Sequence, residues 1–122
     1  MAINMAGACE AFALAGKLGL DLHTFSDILN SSSGGSWIGG VYGCAPGVID
    51  GSPANDGYHG GFANSLLLKD IGLALEAAEA TGSPAPMGGQ THVLWKAMVD
   101  AGHGELDQGS LYWHKYVQHA VK

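Results

Sequence analysis

A chain of 122 residues is long enough to bury roughly two thirds of its unfolded surface around one core, so it reads as a single domain spanning 1–122. Five basic residues against 11 acidic ones give a net charge of -6, which argues against a nucleic-acid surface and against anchoring on anionic lipid. Cys9 lies in an apolar run and Cys44 among glycines; nothing demands a disulfide, and reduced thiols in the cytoplasm or a mitochondrial matrix are the simpler reading.

The first element spans Ala2 to Leu18. Ile3, Met5, Ala8, Cys9, Phe12, Ala13 and Ala15 place apolar side chains on nearly every face, which describes a largely buried helix. Glu10, Lys17 and the lack of a basic leader argue against a signal peptide or a membrane span. Gly19 ends this helix and Asp21 caps the next, from Leu22 to Asn30, with Leu22, Phe25, Ile28 and Leu29 inward. Trp37 and Tyr42 follow in a glycine-rich setting, where large rings act as lids on the core held by their hydrogen-bonding groups. Residues 43 to 61 form a long loop, and Val48 and Ile49 give it something to bury, so it is expected to be ordered.

The third helix runs from Ala63 to Ala80 and stops at Gly82. Pro84 and Pro86 fix the turn into a fourth helix, Met87 to Ala101, with Val93, Leu94, Ala97, Met98 and Ala101 inward and Trp95 at an edge. A last helix starts at Leu106 or Gly109, runs to Ala120 and buries Leu111, Tyr112, Tyr116 and Val117. No segment alternates as a strand does. The fold class is therefore all-α, a helical bundle of about five or six helices.

One charged pair interrupts the apolar run of the third helix. Phe62, Leu66, Lys69 and Leu73 share one helix face by spacing, so Lys69 stands among apolar neighbours. An ammonium there must snorkel, pair with a carboxylate, or face a cleft that holds an anion or polar ligand. Other chemistries lack support. The six histidines show no zinc-like spacing with Cys or Glu, so no metal site is expected. No G-x-S-x-G elbow occurs, and no glycine pair makes G-x-G-x-x-G after a strand.

The pattern Phe62-x-x-x-Leu66-x-x-Lys69-Asp70-Ile71-x-Leu73-Ala74 resembles the signature of the C-terminal domain of β-hydroxyacid dehydrogenases. Within that superfamily it is most similar to the 3-hydroxyisobutyrate dehydrogenases. The resemblance includes Gly19-Leu20-Asp21, Leu29-Asn30-x-Ser32-Ser33-Gly34, Trp37, Pro46 to Gly51 and Tyr58-x-Gly60-Gly61-Phe62. It implies a helical domain like the C-terminal domain of 6-phosphogluconate dehydrogenase-like enzymes, without the Rossmann domain that comes first in the family. It also implies NAD as cofactor of the complete enzyme and a small 3-hydroxy acid, oxidised to its semialdehyde, as substrate.

By resemblance, Lys69 approaches the nicotinamide end of the cofactor, Phe62 and Asp70 border the reacting centre in supporting roles, and Trp37 and Tyr42 line the substrate side. Lys69, Asp70, Phe62 and Trp37 are then expected to converge on one concave surface. The family's catalytic lysine, in G-x-x-x-x-x-K-x-x-N, falls before Met1, so the chain reads as the C-terminal domain alone. Such a chain is expected to be inactive and to bind no cofactor tightly by itself. Its alternative role is an oligomerisation or interaction module, with a Rossmann domain supplied in trans. The first helix is too apolar for so short a chain to cover, and a homo-oligomer with Met5 and Phe12 buried between copies is the expectation.

Overall fold

The structure, a computed structural model, describes residues 1–118 and is helical throughout, with one isolated antiparallel bridge between Ala63 and Asp107. Four α-helices carry it: α1 (Ala2–Lys17), α2 (Leu22–Ser31), α3 (Asn64–Thr81) and α4 (Pro86–Asp100). Shorter pieces connect them: π-helical turns at Ile38–Tyr42 and Tyr112–Val117, and a 3-10 turn at Pro53–Asp56. The last turns lie inside the helix expected to Ala120, whose end falls outside the described residues.

α1 is the central element. Ala2, Met5, Ala6, Ala8, Cys9, Phe12, Ala13 and Ala15 are buried along it, while Asn4, Gly7, Glu10 and Leu14 face out. α2, α4, the 38–42 turn and the 112–117 turn all pack on it, so the chain itself covers Met5 and Phe12. This overturns the expectation that those two side chains would be buried between copies. The cover comes partly from the two π turns, which supply Ile38 and Tyr112 to the core; the 38–42 turn is too short to show as a helix in sequence. Phe12 meets Phe25 of α2 edge to face, ring centroids 5.1 Å apart. Asp21 caps α2 as expected, its Oδ1 accepting from the Thr24 N–H at 2.8 Å.

Two expected faces turn out differently. On α4, Trp95 is fully buried instead of at an edge, and Val93 is 63% exposed instead of inward. The inward row is Thr91, Trp95 and Met98, i to i+4 to i+7, and Ala97 and Ala101 also lie outside it. On α2, Ile28 is exposed while Leu22, Phe25 and Leu29 pack on the core. On α3, the row set into the core is Asn64, Leu67 and Ile71, and Leu66 and Leu73 point out.

The loop from 43 to 61 is ordered by its own polar side chains. Asn55 accepts the Gly47 N–H at 2.7 Å and donates to the Ile49 carbonyl at 2.9 Å. Tyr58, buried and at φ 66°, donates its hydroxyl to the Cys44 carbonyl at 2.9 Å. Val48 and Ile49 are half-buried beneath. Cys9 and Cys44 are both buried free thiols; burial, then the neighbouring Cys44, pushes the Cys9 thiol well up from its ordinary range.

Candidate functional site

The N-terminus of α3 has no side-chain cap, and its first N–H groups need partners. The segment after α4 supplies them: Asn64 N–H donates to the Leu106 carbonyl at 2.8 Å and Ser65 N–H to the Gly104 carbonyl at 2.9 Å. The Asn64 side chain, fully buried, donates to the His103 carbonyl at 2.8 Å and to Ser110 Oγ at 2.9 Å. Residues 104 to 110 thus form a polar plug that fixes where α3 begins, and with it where Phe62 stands.

At the centre of the plug is Asp107, with no exposed surface. Its Oδ2 accepts the Phe62 N–H at 2.8 Å and the Tyr42 hydroxyl, while its Oδ1 accepts the Gly109 N–H at 2.8 Å. The Tyr42 oxygen also accepts from the Phe62 N–H at 3.0 Å. Burial first, and then the Asp107 hydrogen bond and charge, push the Tyr42 phenol up to about 12. The Trp37 ring, 59% exposed, lies against Tyr42 with centroids 5.5 Å apart. Three sequence-predicted residues, Trp37, Tyr42 and Phe62, are therefore joined into one unit by a fourth that the sequence reading missed. The one local signal for it was Asp-x-Gly at 107 to 109, the spacing of an Asx turn.

Gly61 explains the glycine pair before Phe62. Its φ is +67°, and a Cβ there would run into Asp107 Oδ2, would lie 2.6 Å from the Tyr42 hydroxyl oxygen and 2.7 Å from Pro53 Cγ. Only glycine lets the chain pass this close to the carboxylate.

Lys69 and Asp70 sit about two turns further along α3. The ammonium is 3.1 Å from Asp70 Oδ1, with side chains 61% and 50% exposed, a pair too solvated to hold the fold together. Lys69 shares its outward face with the exposed Leu66 and Leu73. Asp70 borders a mostly apolar cleft of about 580 Å³ between the start of α1, α3 and the start of α4, with Met1, Ile3, Leu67, Leu75 and Met87 among its walls. None of Trp37, Tyr42, Phe62 or Lys69 lines that cleft. Lys69, Asp70, Phe62 and Trp37 are thus not brought together on one concave surface: Asp70 borders this cleft, Lys69 projects from the outer face of α3, and Trp37 and Phe62 stand by Tyr42.

Among the described residues, no three His, Cys, Asp or Glu side chains gather as metal ligands, and no helix is long and apolar enough to cross a membrane. His103, whose carbonyl accepts from Asn64, stacks its ring on His114 with centroids 3.8 Å apart.

Comparison with known proteins bears on the same residues. The family model described as the NAD-binding domain of NADP-dependent 3-hydroxyisobutyrate dehydrogenase matches residues 1–114. The chain belongs to this 3-hydroxyisobutyrate dehydrogenase family. The mitochondrial 3-hydroxyisobutyrate dehydrogenase of Drosophila melanogaster is 42% identical over 112 residues, 92% of this chain and 35% of that protein. The NAD-dependent L-serine dehydrogenase of Pseudomonas aeruginosa is 41% identical over 107 residues, 88% of this chain and 36% of that protein. The chain thus spans about a third of the length of these relatives.

Among solved structures, the Mycobacterium tuberculosis 3-hydroxyisobutyrate dehydrogenase with L-serine superposes with a TM-score of 0.85 at 35% identity. The match covers 91% of this chain and 38% of that one. A Salmonella typhimurium structure, at 24% identity and a TM-score of 0.76, shares the fold.

Proposed function

We propose that this chain is the helical, C-terminal third of an NAD-dependent dehydrogenase acting on a small 3-hydroxy acid. The chain supplies one wall of the cleft in which substrate and nicotinamide meet. The observation that carries this reading is the preformed Trp37–Tyr42–Phe62 unit held by buried Asp107, set at the head of the helix that bears Lys69 and Asp70.

The residues suit that role chemically. Trp37, Tyr42 and Phe62 exclude water beside a reacting carbon. Lys69, exposed and held only by a solvated partner, is available to a carboxamide or phosphate oxygen of the dinucleotide, and Asp70 can orient a neighbouring cation. NAD, when bound, supplies the acceptor for the two electrons that leave the substrate carbon. No residue here reads as the base that takes the hydroxyl proton, and no segment carries a dinucleotide fingerprint. The 122 residues alone are therefore inactive and hold no cofactor tightly, and a Rossmann domain completes them in the same protein or in trans.

Domain exchange tests this. Residues 1–114 replace the matching third of the Drosophila relative, and the hybrid is assayed with NAD and 3-hydroxyisobutyrate or L-serine. Turnover by the hybrid and none by the isolated chain is the expected result. A folded but inactive hybrid, or an isolated chain that turns over, overturns the reading.

A second reading, an oligomerisation module, rests on the apolar side chains left outside: Met1, Ile3, Leu66, Leu73 and Met87 are all about half exposed. Sedimentation of the isolated chain at tens of micromolar decides it, a monomer removing its support. In either reading the compartment is the cytoplasm or, as the names of several eukaryotic relatives state for those proteins, the mitochondrion.

A further inference from the structure

We propose that Asp107 is a positioning residue for the cleft, which takes the Tyr42 hydroxyl proton and so presents the Tyr42 ring, not a hydroxyl donor, to the ligand. This rests on the reading of Trp37, Tyr42 and Phe62 as a ligand wall.

A phenol has one proton to donate and two lone pairs to accept with. The Tyr42 proton goes to Asp107 Oδ2, and one lone pair takes the Phe62 N–H at 3.0 Å. The Gln108 side chain is fully buried next in sequence to Asp107, and its amide donates to Met1 Sδ at 3.3 Å. Both partners of the Tyr42 hydroxyl are internal, so its proton is not available to donate to a substrate hydroxyl or carboxylate.

Asp107 divides its two oxygens in the same way. Oδ1 is spent on the Gly109 N–H, which fixes the plane of the carboxylate, and Oδ2 is then aimed at Tyr42 and Phe62. Because Asp107 is wholly buried, these bonds are not exchanged for water, and losing the charge orphans buried donors on two different segments. Trp37 depends on the arrangement at one remove, since its half-exposed ring has Tyr42 as its aromatic neighbour. The carboxylate thus ties the Tyr42 hydroxyl to the Phe62 backbone, and through Tyr42 bears on the Trp37 ring, without meeting the ligand itself.

The test uses the 122-residue chain with ¹³Cζ-tyrosine and ¹⁵N-indole labels. In the wild type the Tyr42 carbon stays in its neutral position from about pH 8 to 11, given a phenol pushed up to about 12. In Asp107→Asn the helical circular dichroism persists while the Tyr42 titration falls by roughly one unit. The Trp37 indole N–H signal moves in Asp107→Asn and in Tyr42→Phe, and the double variant moves it no further than the larger single change. An unchanged Tyr42 titration, or additive Trp37 shifts, overturns the proposal. Should Asp107→Asn fail to fold, Tyr42→Phe decides it: a Trp37 signal that does not respond means that the rings are not coupled.

The hybrid enzyme separates this proposal from the functional reading beneath it. With wild-type residues an inactive hybrid sinks the dehydrogenase reading. In an active hybrid, Tyr42→Phe and Asp107→Asn both raise KM for the hydroxy acid about tenfold with little change in kcat. An active hybrid whose KM ignores Asp107→Asn, or responds to Tyr42→Phe alone, overturns the positioning role and leaves the dehydrogenase standing.

Discussion

The residues around Asp107 and along α3 differ in how much of the fold hangs on them. Gly61 is the least replaceable, since Gly61→Ala combines an unfavourable positive φ with a methyl group driven against Asp107, Tyr42 and Pro53. It should lose at least about 2 kcal/mol in urea unfolding, with the Trp37 environment changed as well. Lys69→Ala should do the reverse. Its exposed pair contributes little to stability, so the melting temperature of the chain should hold, while KM for NAD in the hybrid enzyme rises. A Lys69→Ala hybrid with unaltered NAD affinity would assign Lys69 to the solvated face of α3 and nothing more.

At the scale of elements, the helices were legible because their ends are marked in sequence. Asp21 caps α2, Gly82 closes α3 in the left-handed conformation at φ 66°, and Pro86 opens α4. Which face each helix buries was less legible. α3 and α4 carry apolar residues on more than one face, and on α4 spacing alone favoured Val93 over Trp95. The sorting comes from neighbours far away in the chain, above all the plug at 104 to 110 and the start of α1. Asp107 escaped notice for a similar reason, because a buried carboxylate is explained only by donors 45 and 65 residues away. Trp95→Ala should therefore cost about 3–5 kcal/mol in chemical denaturation, and Val93→Ala within about 0.5 kcal/mol. The acid side has its own marker: the Thr24 N–H and hydroxyl hold Asp21 below the usual carboxylate range. A depressed folded value means that the stability it contributes is present above the unfolded value and fades as pH falls through the folded one. An Asp21→Ala chain should show a smaller loss of melting temperature on acidification than the wild type.

For the whole molecule, alkaline pH is the informative stress. Tyr42, Tyr58, Tyr112 and Tyr116 are all raised from their usual value of 10, in each case chiefly by burial. An unfolded chain releases those protons first. It binds fewer protons than the native state above about pH 10, so stability is whole below that point and falls as pH climbs towards 12 and beyond. Thermal melts from about pH 8 to 11.5 should show the fall beginning near pH 10, and Tyr42→Phe should flatten part of it. A melting temperature constant across that range would mean that the phenols are freely hydrated.

The polar plug also bears on when the molecule becomes itself. α1 meets α2, and α3 meets α4, through contacts between near neighbours in sequence, and such contacts form early at small entropic cost. The ring cluster is different, because Tyr42 and Phe62 receive their anchor from Asp107, beyond all four helices. A ribosome that has released α1 to α4 but still holds residue 107 in its tunnel presents helices without a cleft. The Tyr42–Phe62–Asp107 junction is thus the last thing to be completed, after the helices are in place. Pulse-labelling hydrogen exchange during refolding would follow this order directly. The α3 and α4 amides should be protected first, and the Phe62 and Gly109 amides, both bonded to Asp107, should gain protection together and late.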